Sequence, residues 1–170
     1  MNSVLRLLAR RRVSIGFVSA IGVVWLAHPT STSLLAGALV GASGEALRVW
    51  AAGHLEKSRE VTTSGPYRFV RHPLYVGSSI MGAGLAIAAN SLVVAILVVA
   101  YLGITLTAAI RTEEAHLTAK FGNEYPEYRN GKVSDVRRFS LARAMRNREY
   151  RALTGFLAVL AVLAWKAFGV

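Results

Sequence analysis

Residues 74–110 read LYVGSSIMGAGLAIAANSLVVAILVVAYLGITLTAAI, a stretch without one charged side chain. Its middle holds only Asn90 next to Ser91 as a turn, so it divides into runs of 74–89 and 91–110. At 1.5 Å rise per residue, about 20 apolar residues cross a hydrocarbon core and roughly 17 are the usual minimum. The second run therefore spans, and the first spans by borrowing from its flanks. Alternation with period two is absent and Ala, Leu, Val and Gly dominate, which favours helices over barrel strands. A one- or two-residue turn then makes the pair an antiparallel helical hairpin.

Working outward, three more apolar runs cover about 13–28, 34–53 and 152–169. Together they predict an all-α polytopic membrane bundle of about five transmembrane helices, a single membrane domain over 1–170. Composition agrees: 54% of residues are hydrophobic and 17% charged, yet the net charge is +11, and a mean hydropathy of +0.42 stands beside a pI near 10.9. Such an apolar chain is not disordered. With no Cys, disulfide scaffolds, thiolate metal sites and cysteine nucleophiles are excluded. The cations are segregated. Eighteen of the 20 Lys and Arg residues fall in three segments, at 6–12, 57–71 and 111–151. The connections at His28-Pro-Thr-Ser-Thr-Ser33 and at Asn90 are uncharged and fall on the opposite face. The positive-inside rule then puts the N-terminus in the cytoplasm and the C-terminus outside. An Arg cluster before an apolar run also fits a cleaved signal peptide, but four further runs favour a retained anchor. Localisation follows as integral and multi-pass, in the cytoplasmic membrane if the source is bacterial. No recognition motif accompanies the basic pI, so no nucleic acid is expected as a partner.

Several residues do not belong in lipid. Glu45 and Arg48 share one face of the second run, three apart, and a charge at membrane depth costs about 2.5–3.5 kcal/mol on insertion scales. They form either a mutually neutralising pair or part of a polar cavity. Gly37, Gly41 and Gly44, and Gly77, Gly82 and Gly84, mark surfaces where helix backbones approach closely. Pro66 and Pro73 bracket a turn that places Arg68, Arg71 and His72 ahead of a helix beginning near Pro73, with Tyr75 and Gly77 one turn inside. At the other end, Ser91–Phe121 has no breaker before Gly122 and Pro126; it would extend about 46 Å, carrying Arg111, Glu113, Glu114, His116 and Lys120 out of the bilayer. Hairpin geometry makes these two ends neighbours, so the Arg-His-Pro turn faces the Glu-Glu pair. Carboxylates opposite Arg, His and Tyr suit a zwitterion with a positive centre. His28, His54, His72 and His116 lack ligand spacing, and no metal is expected. Beyond them, Leu141–Arg151 reads as an interfacial helix with Arg143, Arg146, Arg148 and Arg151 interleaved among apolar residues.

At Gly65-Pro-Tyr-Arg-Phe-Val-Arg-His-Pro-Leu-Tyr-Val-Gly77 and at Glu113-Glu114-x-x-Leu117-x-x-x-Phe121-Gly122-x-x-Tyr125-x-x-Tyr128 the chain resembles the isoprenylcysteine carboxyl methyltransferase and phospholipid methyltransferase superfamily of integral membrane enzymes. Arg48 and Trp50 belong to the same resemblance, which covers about 45–128. It implies S-adenosylmethionine as cofactor, with S-adenosylhomocysteine as product, held by the hairpin 65–128 and not by a soluble dinucleotide fold; no G-x-G-x-x-G opens a helix here. It implies Tyr67, Arg71, His72, Pro73, Tyr75 and Gly77 on one side of the cofactor and Glu113 and Glu114 on the other. The expected acceptor is a lipophilic small molecule among the membrane lipids, with a carboxylate or amine nucleophile, met at the cytoplasmic surface. Arg48, Arg111 and Glu114 are the catalytic candidates, and Glu45, Arg48 and Arg129 the substrate-binding ones. A carboxylate needs a cation to orient it, from Arg48, Arg111 or Arg129; an amine needs deprotonation, by Glu113, Glu114 or His116. The chain departs from the superfamily after the second motif, where a basic segment at 130–151 and a fifth apolar run replace a short Pro-containing tail. Two other classes fit the residues less well: an NADPH-dependent membrane reductase of the sterol type, and a non-enzymatic scaffold binding anionic lipid.

Overall fold

The computed structural model describes residues 22, 24–57, 59–130 and 137–169, apart from the side chain of Arg129. Most of the predicted 13–28 span lies outside the described residues; 24–26 are helical. Among the described residues the architecture is a helical membrane bundle without strands. Helix α1 (Ser31–Ala52) runs antiparallel to α2 (Pro73–Ala89), which turns into α3 (Leu92–Phe121). Two short helices, α4 (Glu124–Arg129) and α5 (Leu141–Arg146), precede α6 (Tyr150–Phe168). Helices α1, α3 and α6 are each long and apolar enough to cross a membrane, and α2 is a shorter apolar helix.

Local chemistry sets these boundaries. Thr30 caps α1 in a reciprocal capping box, its hydroxyl accepting from Ser33 N at 3.1 Å while Ser33 Oγ accepts from Thr30 N at 2.9 Å. The Thr-Ser-Thr-Ser run expected as connector is therefore the helix's first turn, and α1 begins three residues before the predicted 34. At the hairpin Asn90 takes the left-handed conformation (φ 50) that ends α2, and Ser91 caps α3, so the expected tight turn is present.

Packing of α1 on α2 is a backbone contact. A Cβ at Gly44 would lie 2.6 Å from Gly77 O and from Met81 N, and one at Gly37 would lie 2.5 Å from Ala88 N. In lipid, apolar side chains gain nothing by leaving other apolar groups, so close approach and dispersion hold such a seam together. Gly41 instead receives the Phe156 ring of α6, and Gly82 receives Leu102 of α3. Leu39, Ile96, Val99, Leu157 and Trp165 point outward and are exposed, as lipid-facing positions are.

The two ends of the bundle differ. At one end His28 N donates to Ala89 O at 2.8 Å, Asn90 Nδ2 donates to His28 O, and Lys166 Nζ donates to Val24 O and Trp25 O. This end gathers the uncharged connections, as expected. The other end gathers the charged ones. Here the predicted helix over 141–151 is corrected. After Arg146 the chain makes a Schellman turn, with Arg148 N on Met145 O and Glu149 N on Ala144 O, and α6 starts afresh at Tyr150. Nor do the Arg residues of α5 all face the bilayer. Arg143 Nε and Arg146 both reach Glu56 Oε1 at 2.8 Å, and Arg137 reaches Glu60 at 2.8 Å. Asn147 donates to Ala52 O and Leu55 O. Residues 137–149 thus strap the end of α1 to the loop after it.

Candidate functional site

The loop before α2 is fixed from both sides. Gly65 adopts φ 59 and turns the chain against His54, whose ring would lie 2.6 Å from a Cβ there. Pro66 then starts a one-turn 3-10 helix over Gly65–Arg68 that buries Tyr67. From α4, the Tyr128 hydroxyl donates to Tyr67 O at 2.7 Å. Burial pushes the Tyr128 phenol up to about 12, so it stays a donor throughout the neutral range. Pro73, fully buried, opens α2, and His72 and Tyr75 stand one turn apart with ring centroids at 5.7 Å.

These side chains meet the emergent end of α3. Tyr75 donates its hydroxyl to Glu113 Oε2 at 2.6 Å. Glu114 Oε1 lies 3.1 Å from His72 Nε2, accepts the Tyr125 hydroxyl at 3.1 Å and stands 3.6 Å from the Arg71 guanidinium. Burial first, and then the Glu114 charge, hold the Tyr125 phenol well above its ordinary value. Both carboxylates are oriented by neutral or cationic donors from elements far apart in sequence, which is the juxtaposition the hairpin geometry predicts.

Tyr67, Arg71, His72, Tyr75 and Glu113 line one polar cavity of about 860 Å³, together with Arg48 and His116. Glu114 borders it through His72 and Arg71. Gly77 faces the other way, toward Arg48 and Gly44, and admits α1 to close contact. Glu45 is buried beside Arg48, 3.8 Å away, and is not among the cavity-lining residues. Arg111 is exposed and lines neither this cavity nor the groove beside it. The Arg129 side chain falls outside the described residues.

Arg48 lines the cavity, as one of the two expectations had it, but its main partner is not Glu45. Its Nε donates to Glu149 Oε1 at 2.6 Å, and one terminal nitrogen donates to Leu74 O and Ser78 Oγ. The guanidinium therefore ties α1 to α2 and to the start of α6, with Glu45 a secondary neighbour. Glu149, Arg148, Arg151 and Lys57 are cavity-lining residues that sequence reasoning missed. One signal existed: Glu149 is the only acid after Asp135.

A second, apolar groove of about 1200 Å³ runs between α2 and α3 along Val76, Ala83, Val99 and Leu106. Tyr67, Arg71, His72 and Tyr75 line both spaces. A polar chamber thus shares a wall with a groove at membrane depth.

Comparison with known proteins places these features in context. A family profile described as phospholipid methyltransferase matches residues 34–124. The chain is 31% identical over 118 residues to the protein-S-isoprenylcysteine O-methyltransferase of Schizosaccharomyces pombe, covering 69% of this chain and 48% of that one. It is 30% identical over 122 residues to the nickel-cobalt-cadmium resistance protein NccN of Alcaligenes xylosoxydans xylosoxydans, covering 71% and 55%. It is 35% identical over 98 residues to the cobalt-zinc-cadmium resistance protein CzcN of Cupriavidus metallidurans, covering 56% and 45%. The chain spans about half the length of these curated relatives. No solved structure is significantly similar to it. Among the described residues no three His, Asp or Glu side chains converge as metal ligands.

Proposed function

The chain belongs to the phospholipid methyltransferase family, and from that membership we propose that it transfers a methyl group from S-adenosylmethionine to a lipophilic acceptor at the membrane surface. The observation that carries the proposal is Glu113 in the wall of a polar chamber with Glu114 bordering it, each held by tyrosine or histidine donors, where that chamber shares its wall with an apolar groove. A chamber of about 860 Å³ falls within the roughly 300–1,000 Å³ of small-molecule sites. The donor set fits a zwitterion carrying a sulfonium: Glu113 and Glu114 for the positive centres, Arg71 and His72 for the carboxylate. When bound, S-adenosylmethionine supplies an electrophilic methyl on sulfur.

The residues then have three tasks. Arg71, His72, Glu113 and Glu114 orient the donor molecule, which accounts for much of the rate in an in-line displacement. Tyr67 and Tyr128, locked together, close the chamber over the reacting atoms and limit water. The groove along α2 and α3 takes the acceptor's apolar chain and brings its nucleophile to the chamber from the side. A carboxylate acceptor needs only a cation beside it. An amine needs a base, for which Glu113, hydrogen-bonded to Tyr75, and His116 are the lining candidates. The membrane carries the chain in five crossings with the site on the cytoplasmic face, a topology supported by the segregated cations.

The test is labelled methyl transfer from S-adenosylmethionine into a total lipid extract by the purified protein, with identification of the labelled species. Calorimetry should show S-adenosylhomocysteine binding, weakened by Glu114→Gln and His72→Ala. A protein that bound neither form of the cofactor but bound NADPH would overturn the proposal in favour of a reductase.

A further inference from the structure

The bend ahead of α2 carries two apolar side chains that the chamber does not use. Phe69 is 79% exposed and Val70 39%, and they stand between Arg68 and Arg71, which are exposed as well. The backbone fixes this position. The amides of Phe69 and Val70 both donate to Pro66 O at 3.1 Å, Pro66 and Pro73 on either side are fully buried, and the Tyr128 hydroxyl holds Tyr67 O. A braced bend thus presents a phenyl ring outward, an arrangement that is unfavourable in water.

Two observations set the level of the bend. Phe69 and Val70 line the same groove as Val76, Ile87 and Val99, which are exposed apolar residues of α2 and α3, so the pair continues the lipid-facing surface. The last α3 residue lining that groove is Ile110, and the next residue, Arg111, is the first charge after the apolar run of 91–110. The bend therefore stands where hydrocarbon gives way to headgroups. Its charges fit that boundary. Glu114 takes Arg71 at 3.6 Å and Glu113 takes the Tyr75 hydroxyl at 2.6 Å, which leaves Arg68 as the exposed cation next to the ring. An apolar tip beside a cation matches the step from acyl chain to phosphate at a membrane surface.

We propose that Phe69 and Val70 insert into the headgroup–acyl boundary of the bilayer, with Arg68 on the lipid phosphates. The partner is bilayer lipid at the rim of the groove, and the contact does not depend on which reaction the chamber performs. Its consequence for the chamber is one of level. Arg71 and His72, the residues of the bend that meet Glu114, follow the inserted tip directly in sequence, so the bilayer braces the bend from outside as Tyr128 braces it from within.

The chain has no Cys, so a single introduced cysteine reports one position. Val70→Cys, Val99→Cys and Ala119→Cys, the last in the exposed end of α3 beyond Arg111, are each labelled with nitrobenzoxadiazole in the full chain. Nanodiscs of phosphatidylcholine and phosphatidylglycerol carry the protein, and two quenchers compete: aqueous iodide, and a phosphatidylcholine spin-labelled near the top of its acyl chain. At 70 the lipid quencher should act several-fold more strongly than iodide, as at 99, and at 119 the order should reverse. Phe69→Asp should turn the label at 70 over to iodide, Phe69→Trp should leave it with lipid, and Arg68→Glu should move it part of the way to iodide. Iodide quenching at 70 equal to that at 119 would overturn the proposal. So would indifference to Phe69→Asp, which would show the label inserting by itself, or protection of 70 from both quenchers, which would place a second protein surface there. If the Phe69→Asp chain does not fold, the comparison of 70 with 99 and 119 still decides. S-adenosylhomocysteine affinity in the same discs separates the two proposals: lipid quenching at 70 without cofactor binding sinks the methyltransferase reading alone, and cofactor binding with iodide quenching at 70 sinks the insertion alone.

Discussion

Adding one methyl at Gly44 tests the backbone seam that positions the site. The new Cβ would lie 2.6 Å from Gly77 O and Met81 N, whereas ordinary contact begins near 3.4 Å, so α1 and α2 must separate by about 0.8 Å at this level. Both obstacles are backbone atoms and no rotamer change relieves them. Overpacking of this kind costs about 1–3 kcal/mol, and rigid partners put it at the upper end. Ala recovers about 1 kcal/mol of helix propensity over Gly. The net expected loss for Gly44→Ala is about 2 kcal/mol, roughly a 30-fold fall in the folded-to-unfolded ratio. Gly155, in α6, has nothing within 4 Å of its would-be Cβ, so Gly155→Ala should keep the propensity gain and move the other way. The assay is denaturant titration in mild detergent, followed by tryptophan fluorescence. Because Gly77 lies only two residues from Tyr75 in the same helix, Gly44→Ala should also weaken S-adenosylhomocysteine binding while Gly155→Ala does not. Midpoints that shift in the same direction for both variants would refute the reasoning.

Other outcomes follow from particular contacts. Removing one partner of a buried ion pair leaves the other charge stranded, at about 3–5 kcal/mol; since Arg48 keeps Leu74 O, Ser78 and the more distant Glu45, Glu149→Gln should cost about 2–3 kcal/mol by the same titration. Glu45→Gln should stay within about 1 kcal/mol, because neither Glu45 carboxylate oxygen has a hydrogen-bond partner; equal losses would place Arg48's main partner at Glu45 after all. Tyr75→Phe deletes a hydrogen bond to a charged acceptor, worth roughly 1.5 kcal/mol or more; it should lower the unfolding midpoint and, by releasing Glu113 from its set orientation, also weaken cofactor affinity, and an unchanged affinity by calorimetry would remove Glu113 from the site. Glu56 is held below its ordinary value of 4.5 chiefly by its hydrogen bond to Arg143, then by the charges of Arg146, Arg143 and Arg137. A depressed carboxylate stabilises the fold fully above its unfolded value and loses that contribution as pH falls through the folded one. Amide exchange in 140–147 should therefore accelerate below about pH 4.5 beyond the intrinsic rate, and Glu56→Gln should show the faster exchange at neutral pH already. Arg148→Gly removes the left-handed penalty of about 1 kcal/mol at φ 62 and should raise the unfolding midpoint in the same titration; a fall would show that the arginine side chain itself stabilises the turn.

What the sequence discloses about this bundle follows the range of the forces involved. The hairpin was legible because its causes are local: apolar length, a proline at the start, an asparagine at the turn, and Gly122, which ends α3 at Phe121 with φ 53. The facing of His72 and Glu114 followed from that topology alone, since a short turn leaves two helix ends no other place. Arg48 was not legible in the same way. Helical spacing offers Glu45, three residues away, while the guanidinium takes Glu149, 101 residues away. No local rule ranks a distant carboxylate above a near one. The choice depends on the Schellman turn that aims Glu149 inward, and that turn sits at an arginine where sequence rules look for glycine. The extra charge at 148 hid the helix end, so 141–151 read as one amphipathic helix.

That concealment bears on why the strap exists. If residues 137–149 served only to anchor the chain to an anionic surface, their cations would be interchangeable and most would face outward. Instead most have a target: Arg137 on Glu60, Arg143 and Arg146 on Glu56, and Arg148 on the cavity, with only Arg138 turned outward. The paired cations fix the strap against the end of α1, with Ser140 N on Gly53 O and the Phe139 ring seated where a Gly53 side chain would be. Fixing costs conformational entropy at every residue held. The expenditure makes physical sense if the geometry delivered by the strap matters, and what it delivers is one carboxylate to Arg48 in the wall of the chamber that holds Glu113. A surface anchor would tolerate Glu56→Gln, because charge near the bilayer would be unchanged or raised. A positioned chamber wall would not, and a fall in S-adenosylhomocysteine affinity in Glu56→Gln, with Arg48 and Glu149 intact, separates the two.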